Sequence, residues 1–166
     1  LGGSKREVET DMTIGIGTPD AMAERAVQFR NDGARMLKIK LGKHAQEDIE
    51  RITRIRQAVG PETILRIDAN QGWSLKDAKI ALTAMGPLNI EFCEQPMRTW
   101  YDDLLPELLE VSPVKIMADE SCYNHHDARK LIKNKATDYL NIKFSKSGGI
   151  NEALKIHHTA EAAGVK

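Results

Sequence analysis

The sequence of 166 residues suits one ordinary domain and carries 24 basic and 24 acidic side chains, so its formal net charge is zero. A neutral chain offers no basic footprint for nucleic acid or for an anionic membrane surface. No apolar run reaches the roughly 18 residues of a membrane span, and the first residues show no secretory signal pattern. Two cysteines without a CxxC pair cannot form a disulfide scaffold, which favours a reducing, cytoplasmic setting.

Short apolar, β-branched runs alternate with longer amphipathic stretches along the chain. These runs predict strands, in chain order, at 11–17, 36–41, 63–68, 89–94, 114–119 and 138–143. A strand followed by a helix, repeated six times, predicts right-handed βαβ units and a parallel sheet. The predicted fold class is therefore α/β.

Helix signals occupy the segments between these strands. Thr18-Pro19 opens a helix that Gly33 closes, and Ser74 is a good N-cap for a helix over 75–85. A further helix over 45–59 carries an apolar stripe and places its acidic and arginine residues elsewhere. The residues of that stripe are Ala45, Ile49, Ile52, Ile55 and Val59.

Charged residues stand at the C-terminal ends of five consecutive predicted strands. They are Lys40, Asp68, Glu94, Asp119 and Lys143, separated by 28, 26, 25 and 24 residues. In an open doubly wound sheet, five such strand ends spread along a ridge and only the switch point forms a crevice. In a (β/α)8 TIM-type barrel the same ends converge on one mouth, where the chemistry takes place. We therefore predict the barrel.

The chain carries about six βα units, whereas the barrel needs eight and typically about 250 residues. We therefore expect an incomplete barrel that holds strands one to six and lacks the last two. Such a piece would expose unpaired strand edges, which favour aggregation.

Lys38 and Lys40 lie two residues apart on one predicted strand, so their side chains point to the same face. Two ammonium groups on a buried strand repel each other, and burial lowers their pKa values further. A lysine with a lowered pKa is a usable general base near neutral pH. The alternative is an edge strand whose lysines reach water.

Asp68, Glu94 and Asp119 end three successive predicted strands. Unpaired at one mouth they would repel one another, and a divalent cation removes that repulsion. An all-oxygen set suits Mg²⁺ or Mn²⁺ better than zinc. The alternative is that each carboxylate caps a helix or pairs with a loop residue. Asn70, two residues after Asp68, either assists this site or forms a plain turn.

Lys143 ends the sixth predicted strand, which lies across from the second in an eight-stranded ring. It would then face Lys40 over the metal site, and a base on each face of a bound carbon acid is what a two-base proton transfer requires. The alternative is a strand-end lysine that reaches solvent. Lys146, three residues further on, is interpreted as a loop residue.

Five motifs in this order resemble the barrel of the enolase superfamily. They are Lys38-Ile39-Lys40, Asp68-Ala69-Asn70, Glu94-Gln95-Pro96, Ala118-Asp119-Glu120-Ser121 and Asn141-Ile142-Lys143. The chain looks most like the muconate-lactonizing branch, and the run from Asn141 to Gly149 is similar to the dipeptide epimerases, typified by L-Ala-D/L-Glu epimerase. The resemblance covers nearly the whole chain.

The resemblance implies Mg²⁺-dependent removal of a proton α to a carboxylate, with an enediolate intermediate. The implied metal ligands are Asp68, Glu94 and Asp119. The implied acid/base pair is Lys40 and Lys143. Lys38 would tune Lys40 or contact the substrate carboxylate, while Asn70 and Glu120 would support the site from outside the ligand set. The implied partner is a small-molecule carboxylate such as a dipeptide, and related barrels often assemble as homo-oligomers.

Members of this family also carry an N-terminal capping domain and two further strands. Relative to that pattern, we expect residues 1–9 to be a linker from a missing capping domain and residues 10–166 to be the partial barrel. In dipeptide epimerases an acidic pair on the eighth strand recognises the ammonium group of the substrate. A chain without closure and water exclusion can hold the metal ligands and still be inactive.

Several alternatives stay open. An o-succinylbenzoate synthase, an N-succinylamino acid racemase and a muconate cycloisomerase use the same two-lysine barrel. A sugar-acid dehydratase of the mandelate-racemase branch is disfavoured, since it typically places a histidine base on the seventh strand. From a different class comes a non-catalytic partial barrel whose charged strand ends are structural, which failure to bind Mg²⁺ would favour.

Overall fold

The computed structural model describes residue 3 and residues 7–166, in which six parallel strands alternate with helices. The strands are β1 (Met12–Ile14), β2 (Met36–Lys40), β3 (Ile64–Asp68), β4 (Ile90–Glu94), β5 (Ile116–Ala118) and β6 (Tyr139–Leu140). They form one sheet in the order of the sequence, and each strand pairs in parallel with the next. A doubly wound sheet reverses its strand order at a switch point, so the sequential order found in the described residues excludes that alternative.

Helices follow the strands as the sequence predicts. They are α1 (Pro19–Asn31), α2 (Ala45–Val59), α3 (Leu75–Met85), α4 (Leu105–Val111), α5 (His125–Lys133), α6 (Phe144–Ser147) and α7 (Ile150–Ala162), with 3₁₀ turns at Gly86–Leu88 and Thr99–Leu104. The Ser74 hydroxyl accepts a hydrogen bond from the Asp77 amide at 3.1 Å, which satisfies one of the free N–H groups at the start of α3. The predicted helices over 45–59 and 75–85 are confirmed to the residue.

Three strands are shorter than predicted. The first covers Met12–Ile14 rather than 11–17, the fifth covers Ile116–Ala118 rather than 114–119, and the sixth covers Tyr139–Leu140 rather than 138–143. The sixth ends early because Lys143 is already the N-cap of α6. The predicted strands at 36–41, 63–68 and 89–94 are confirmed to within one residue at each end.

The core lies between the sheet and its helices. Leu37, Ile39, Leu65 and Ile67 are fully buried and pack in one apolar cluster with helix residues that include Ile52. Because side chains alternate along a strand, this arrangement turns positions 38, 40, 66 and 68 to the other face of the sheet. The apolar half of β2 and β3 therefore fixes which polar side chains face the candidate site.

Helix α2 departs from the simple amphipathic pattern. Asp48 and Arg51 are buried, whereas Ala45 and Ile49 of the predicted stripe are only partly buried. The departure has a physical cause, because the Asp48 and Arg51 side chains satisfy each other through a hydrogen-bonded ion pair of 2.9 Å.

Part of the predicted linker at 1–9 lies outside the described residues, which omit 1–2 and 4–6. Within its described end, Glu9 forms an exposed ion pair with Arg35 at 3.4 Å. Among the helices described, none combines the length and apolar character needed to cross a membrane.

Candidate active site

The strand register brings the predicted charged residues together. Lys40 lies opposite Asp68 in the ladder between β2 and β3, and Asp68 lies opposite Glu94 in the ladder between β3 and β4. Asp119 directly follows β5. The exposed fractions of the Asp68, Glu94 and Asp119 side chains are only 1%, 2% and 2%. Parallel strands thus collect three buried carboxylates at one edge of the sheet, as the sequence predicts.

Lys38 lies between two of these carboxylates. Its Nζ is 3.0 Å from Asp68 Oδ2 and 2.5 Å from Glu94 Oε2. Burial lowers the pKa of Lys38, but the hydrogen bonds and charges of Glu94 and Asp68 outweigh burial and raise it. The predicted lowering of the Lys38 pKa is therefore wrong for the structure as it stands, because carboxylates on the neighbouring strands compensate the two ammonium groups.

Lys40 has two polar partners on the next strand and its loop. Its Nζ donates to Asp68 Oδ2 at 2.7 Å and to Asn70 Oδ1 at 2.8 Å. Asn70 has a left-handed backbone, with φ of 43°, and its amide donates to Asp68 Oδ1 at 3.0 Å. Since β2 is paired on both sides, the alternative of an edge strand with solvated lysines is excluded. Asn70 belongs to the cluster rather than to a plain turn.

Glu94 connects the two halves of the cluster. Its Oε1 accepts a hydrogen bond from Asn141 Nδ2 at 2.8 Å and lies 3.8 Å from Lys143 Nζ. Burial raises the pKa of Glu94, and the nearby Asp68 carboxylate raises it further, which the bonds from Lys38 and Asn141 only partly offset. The site thus favours an added positive charge beside Glu94.

Asp119 pairs with two lysines that follow β6. Its carboxylate forms ion pairs with Lys143 and, at 2.6 Å, with Lys146. Burial alone would raise the pKa of Asp119, but the hydrogen bonds from Lys143 and Lys146 lower it overall. Burial likewise lowers the pKa of Lys143, and the bond to Asp119 reverses that effect and raises it. Lys143 therefore lies in the cluster, and the alternative of a lysine directed only to solvent is wrong.

Sequence reasoning missed the position of Lys146. It lies in α6 rather than in a loop, and its ammonium also bonds to the carbonyl oxygens of Asp119 and, at 3.0 Å, Asn141. The spacing of three residues from Lys143 was the available signal, because positions three apart share a helix face.

Gln95 is a second residue that the sequence reasoning missed. Its Oε1 accepts from the amides of Asp119 and Ser121 at 2.9 and 3.2 Å, and its Nε2 donates to Met97 O at 3.0 Å. Gln95 is buried and holds the backbone on which Asp119 stands. No spacing pattern reveals such a role, since it depends on a left-handed backbone at Gln95, with φ of 38°.

Glu120 is the one predicted site residue that makes no ion pair or hydrogen bond with this cluster in the described part of the chain. Its Oε2 is buried without a hydrogen-bond partner there. The two cysteines are unsuited to nucleophilic chemistry, since burial raises the pKa of Cys93 well above its usual value and that of Cys122 to about 11.

The donor set matches a hard divalent cation in its chemistry, because it consists of three buried carboxylates. The charge of Asp68 also repels that of Glu94, and a cation would relieve this repulsion. The side chains are not arranged as a finished site, however. Among the described residues no three His, Cys, Asp or Glu side chains are grouped closely enough to hold a metal ion. Ammonium groups lie against the carboxylates instead, and Lys38 contacts both Asp68 and Glu94.

A family profile and individual relatives both show what this chain is similar to. Residues 21–166 match the profile of the family described as Enolase C-terminal domain-like. The D-Ala-D/L-Ala epimerase of Cytophaga hutchinsonii is 45% identical over 98% of this chain and 45% of its own length. The N-succinyl-L-Arg/Lys racemase of Bacillus cereus is 36% identical over 92% of this chain and 42% of its own length.

A solved structure shows the same backbone. The dipeptide epimerase of Enterococcus faecalis, complexed with Mg and L-Leu-L-Tyr, superimposes with a TM-score of 0.96 at 44% identity. The match covers 100% of this chain and 47% of that one. The chain therefore spans less than half the length of each relative named here.

Proposed function

Since the chain belongs to the Enolase C-terminal domain-like family, we propose that the protein that carries it is an isomerase that epimerises dipeptides at the carbon next to a carboxylate. The observation that carries this proposal is the cluster of three buried carboxylates and their lysines at the ends of successive parallel strands. Two relatives named as epimerases, one with a dipeptide bound, favour this substrate class.

Asp68, Glu94 and Asp119 would hold Mg²⁺, with Mn²⁺ as a substitute. Their hard oxygen donors and the raised pKa of Glu94 support this assignment. The bound cation would supply positive charge that favours the additional negative charge on the substrate carboxylate group when the α-carbon has lost its proton. Lys38 lies against two of these carboxylates and would orient them or bind the carboxylate of the substrate.

Lys40 and Lys143 would move the proton. One lysine, with a neutral Nζ, takes the proton from the α-carbon, and the ammonium of the other donates a proton to the opposite face. The roles exchange in the reverse direction, so atoms and charge balance in both. Asn70 orients Lys40 through the 2.8 Å hydrogen bond at its Oδ1. Glu120 is proposed only as a supporting residue outside the ligand set.

We further propose that the six strands belong to a (β/α)8 barrel whose domain begins near residue 10. The sequential strand order supports the barrel. The Leu140 amide of β6 also supports it, because it donates to the Lys166 carbonyl at 2.8 Å and Lys166 thus lies beside the strand. A closed barrel would bring Lys143 across from Lys40.

Racemisation of an N-succinylamino acid is the second candidate, because one relative carries that activity in its name. An o-succinylbenzoate synthase or a muconate cycloisomerase would use the same lysines. A non-catalytic role for the charged strand ends is the candidate from a different class.

Proton exchange tests the proposal. The protein that carries the chain is incubated in D₂O with Mg²⁺ and a panel of dipeptides that includes L-Ala-L-Glu, and loss of the α-proton is followed by NMR. We expect the α-proton to exchange with inversion at the carbon. The exchange rate of one stereoisomer should fall roughly a thousandfold in Lys40→Ala, and that of the other stereoisomer should fall by the same factor in Lys143→Ala. Lys133→Ala, at an exposed lysine of α5, is the matched control.

Turnover of succinylated amino acids but of no dipeptide would refute dipeptide epimerisation and support the second candidate, racemisation of an N-succinylamino acid. Absence of exchange with every substrate, together with absence of Mg²⁺ binding, would refute the catalytic proposal.

A further inference from the structure

A buried carboxylate on α2 lies outside the cluster of strand-end charges. Asp48 is completely buried, and its Oδ2 accepts three hydrogen bonds. The donors are the amides of Gly42 and Lys43 at 2.9 and 3.0 Å, and the indole Nε1 of Trp73 at 3.0 Å. One oxygen atom therefore holds the loop after β2 and the loop after β3.

Arg51 extends this arrangement to a third loop. Its Nη1 donates to Asp48 Oδ1 at 2.9 Å, and its Nε donates to the Gly17 carbonyl at 2.9 Å. Gly17 lies in the loop between β1 and α1. We name Asp48, Arg51 and Trp73 the loop clamp, since together they tie the loops that follow the first three strands to α2.

The clamped loops are packed backbone against backbone. Gly42 has φ of 96°, and a side-chain carbon at this position would lie 1.9 Å from the Ala69 carbonyl oxygen. A side-chain carbon at Gly72 would lie 1.9 Å from the Gly42 carbonyl oxygen. Only glycine allows these contacts, so the relative position of the two loops has little freedom.

The clamp lies close in sequence and space to the proposed acid/base residue. Gly42 follows Lys40 by two residues, and Ala69 lies between Asp68 and Asn70, both of which accept hydrogen bonds from Lys40. A shift between the two loops would therefore change the distances from Lys40 to its two partners.

We propose that the loop clamp positions the residues for proton transfer, holding Lys40 against Asp68 and Asn70. This inference rests on the proposed function. A buried ion pair is a poor means of stabilising a core, because apolar residues of the same volume often do as well or better. The four hydrogen bonds that this pair makes to loop atoms give it geometric precision instead. An error of about 1 Å in a catalytic geometry can cost a hundredfold in rate.

Two conservative variants test the clamp. Trp73→Phe keeps an aromatic ring at the position and removes the donor to Asp48, while Asp48→Asn keeps an acceptor for the loops and removes the charge that pairs with Arg51. Their matched controls are Trp100→Phe, at an exposed tryptophan, and Asp20→Asn, whose ion pair with Arg54 lies on the surface.

Hydrogen exchange and steady-state kinetics are measured on each variant of the protein that carries the chain, below its unfolding temperature. We expect amide exchange in segments 41–44 and 69–73 to rise by roughly tenfold or more, and kcat for α-proton exchange to fall by roughly tenfold with KM changed by less than about twofold. The two controls should match the unaltered protein.

Amide exchange in these segments that matches the controls would overturn the clamp. Faster amide exchange with an unchanged kcat would overturn the positioning role and leave only a structural one. The hydrogen-exchange measurement needs no substrate, so it tests the clamp even if the unaltered protein has no turnover. Absence of turnover in the unaltered protein would count against the proposed function and not against the clamp.

Discussion

Two clusters on the same sheet use one cation to bridge two carboxylates, and they differ in their access to water. At the candidate site, Lys38 bridges Asp68 and Glu94, whose side chains are only 1% and 2% exposed. Two residues before Asp68 on β3, Arg66 bridges Asp11 at 3.0 Å and Glu91 at 2.5 Å. The exposed fractions there are 22% for Arg66, 22% for Asp11 and 38% for Glu91.

The difference separates an ordinary ion pair from a site. Water solvates the charges of the Arg66 cluster. The Arg66 guanidinium also lies over the Phe92 ring, 5.1 Å from its centre. In the Lys38 cluster the two carboxylates are almost completely shielded from water. Burial and the nearby charge of Asp68 together raise the pKa of Glu94. Burying like charges beside one another destabilises a fold, so such a cluster is expected where charge serves binding or chemistry.

Removing the central cation of each cluster sharpens this contrast most strongly. Lys38→Met leaves two buried carboxylates without the ammonium that they share and should destabilise the chain by about 3 kcal/mol. Arg66→Met leaves carboxylates that water solvates and should cost about 1 kcal/mol or less. Urea unfolding of both variants, in buffer free of divalent cations, measures the two losses.

Magnesium provides the control for that experiment. Added Mg²⁺ should stabilise Lys38→Met more than Arg66→Met, since a ligand that binds only the folded state stabilises it by mass action. Equal losses for the two substitutions, and equal responses to Mg²⁺, would show that the two clusters do not differ in kind.

A smaller effect is expected from Glu152, a carboxylate surrounded by donors rather than by other carboxylates. Its Oε1 accepts a hydrogen bond from the His125 amide at 2.9 Å, and the bonds from His125 lower the pKa of Glu152 to about 2. Because the folded state favours the ionised form, Glu152 contributes stability above about pH 4.5, which is lost as the pH falls toward 2.

Glu152→Gln should therefore lower the urea midpoint at pH 7 and have progressively less effect between pH 5 and about pH 2. Glu161→Gln, an exposed position on the same helix, is the comparison variant. A difference between the two variants that grows on acidification would contradict the assigned direction of the pKa shift.

The positions of the strand-end charges could be predicted from the sequence, because parallel strands separated by one helix each present their C-terminal ends at one edge. Asp68, Glu94 and Lys40 follow this rule directly through the strand register. The direction of the Lys38 pKa could not be predicted from its own strand, since the groups that raise it stand on β3 and β4.

The roles of the supporting residues could not be predicted from sequence patterns for a related reason. Gln95 acts through a backbone turn, and Asp48 acts through hydrogen bonds to two loops that approach each other closely at their glycines. Lys146 reaches Asp119 only because β6 ends after Leu140 and α6 begins at Phe144. Such roles depend on the residue at which a helix or strand ends. The periodicity of a sequence indicates that a helix or strand exists more reliably than it indicates the residues at which that element begins and ends.

Binding of Mn²⁺, measured by its EPR signal, tests most directly whether the buried carboxylates form a divalent cation site. We expect the protein to bind Mn²⁺ at a single site, from which Mg²⁺ displaces it. Asp119→Asn and Glu94→Gln should weaken binding by about tenfold or more, since even partners that only support metal ligands contribute that much. Asp11→Asn, in the exposed cluster, should leave the affinity unchanged. Equal affinities in all three variants, or no binding by the unaltered protein, would contradict the account.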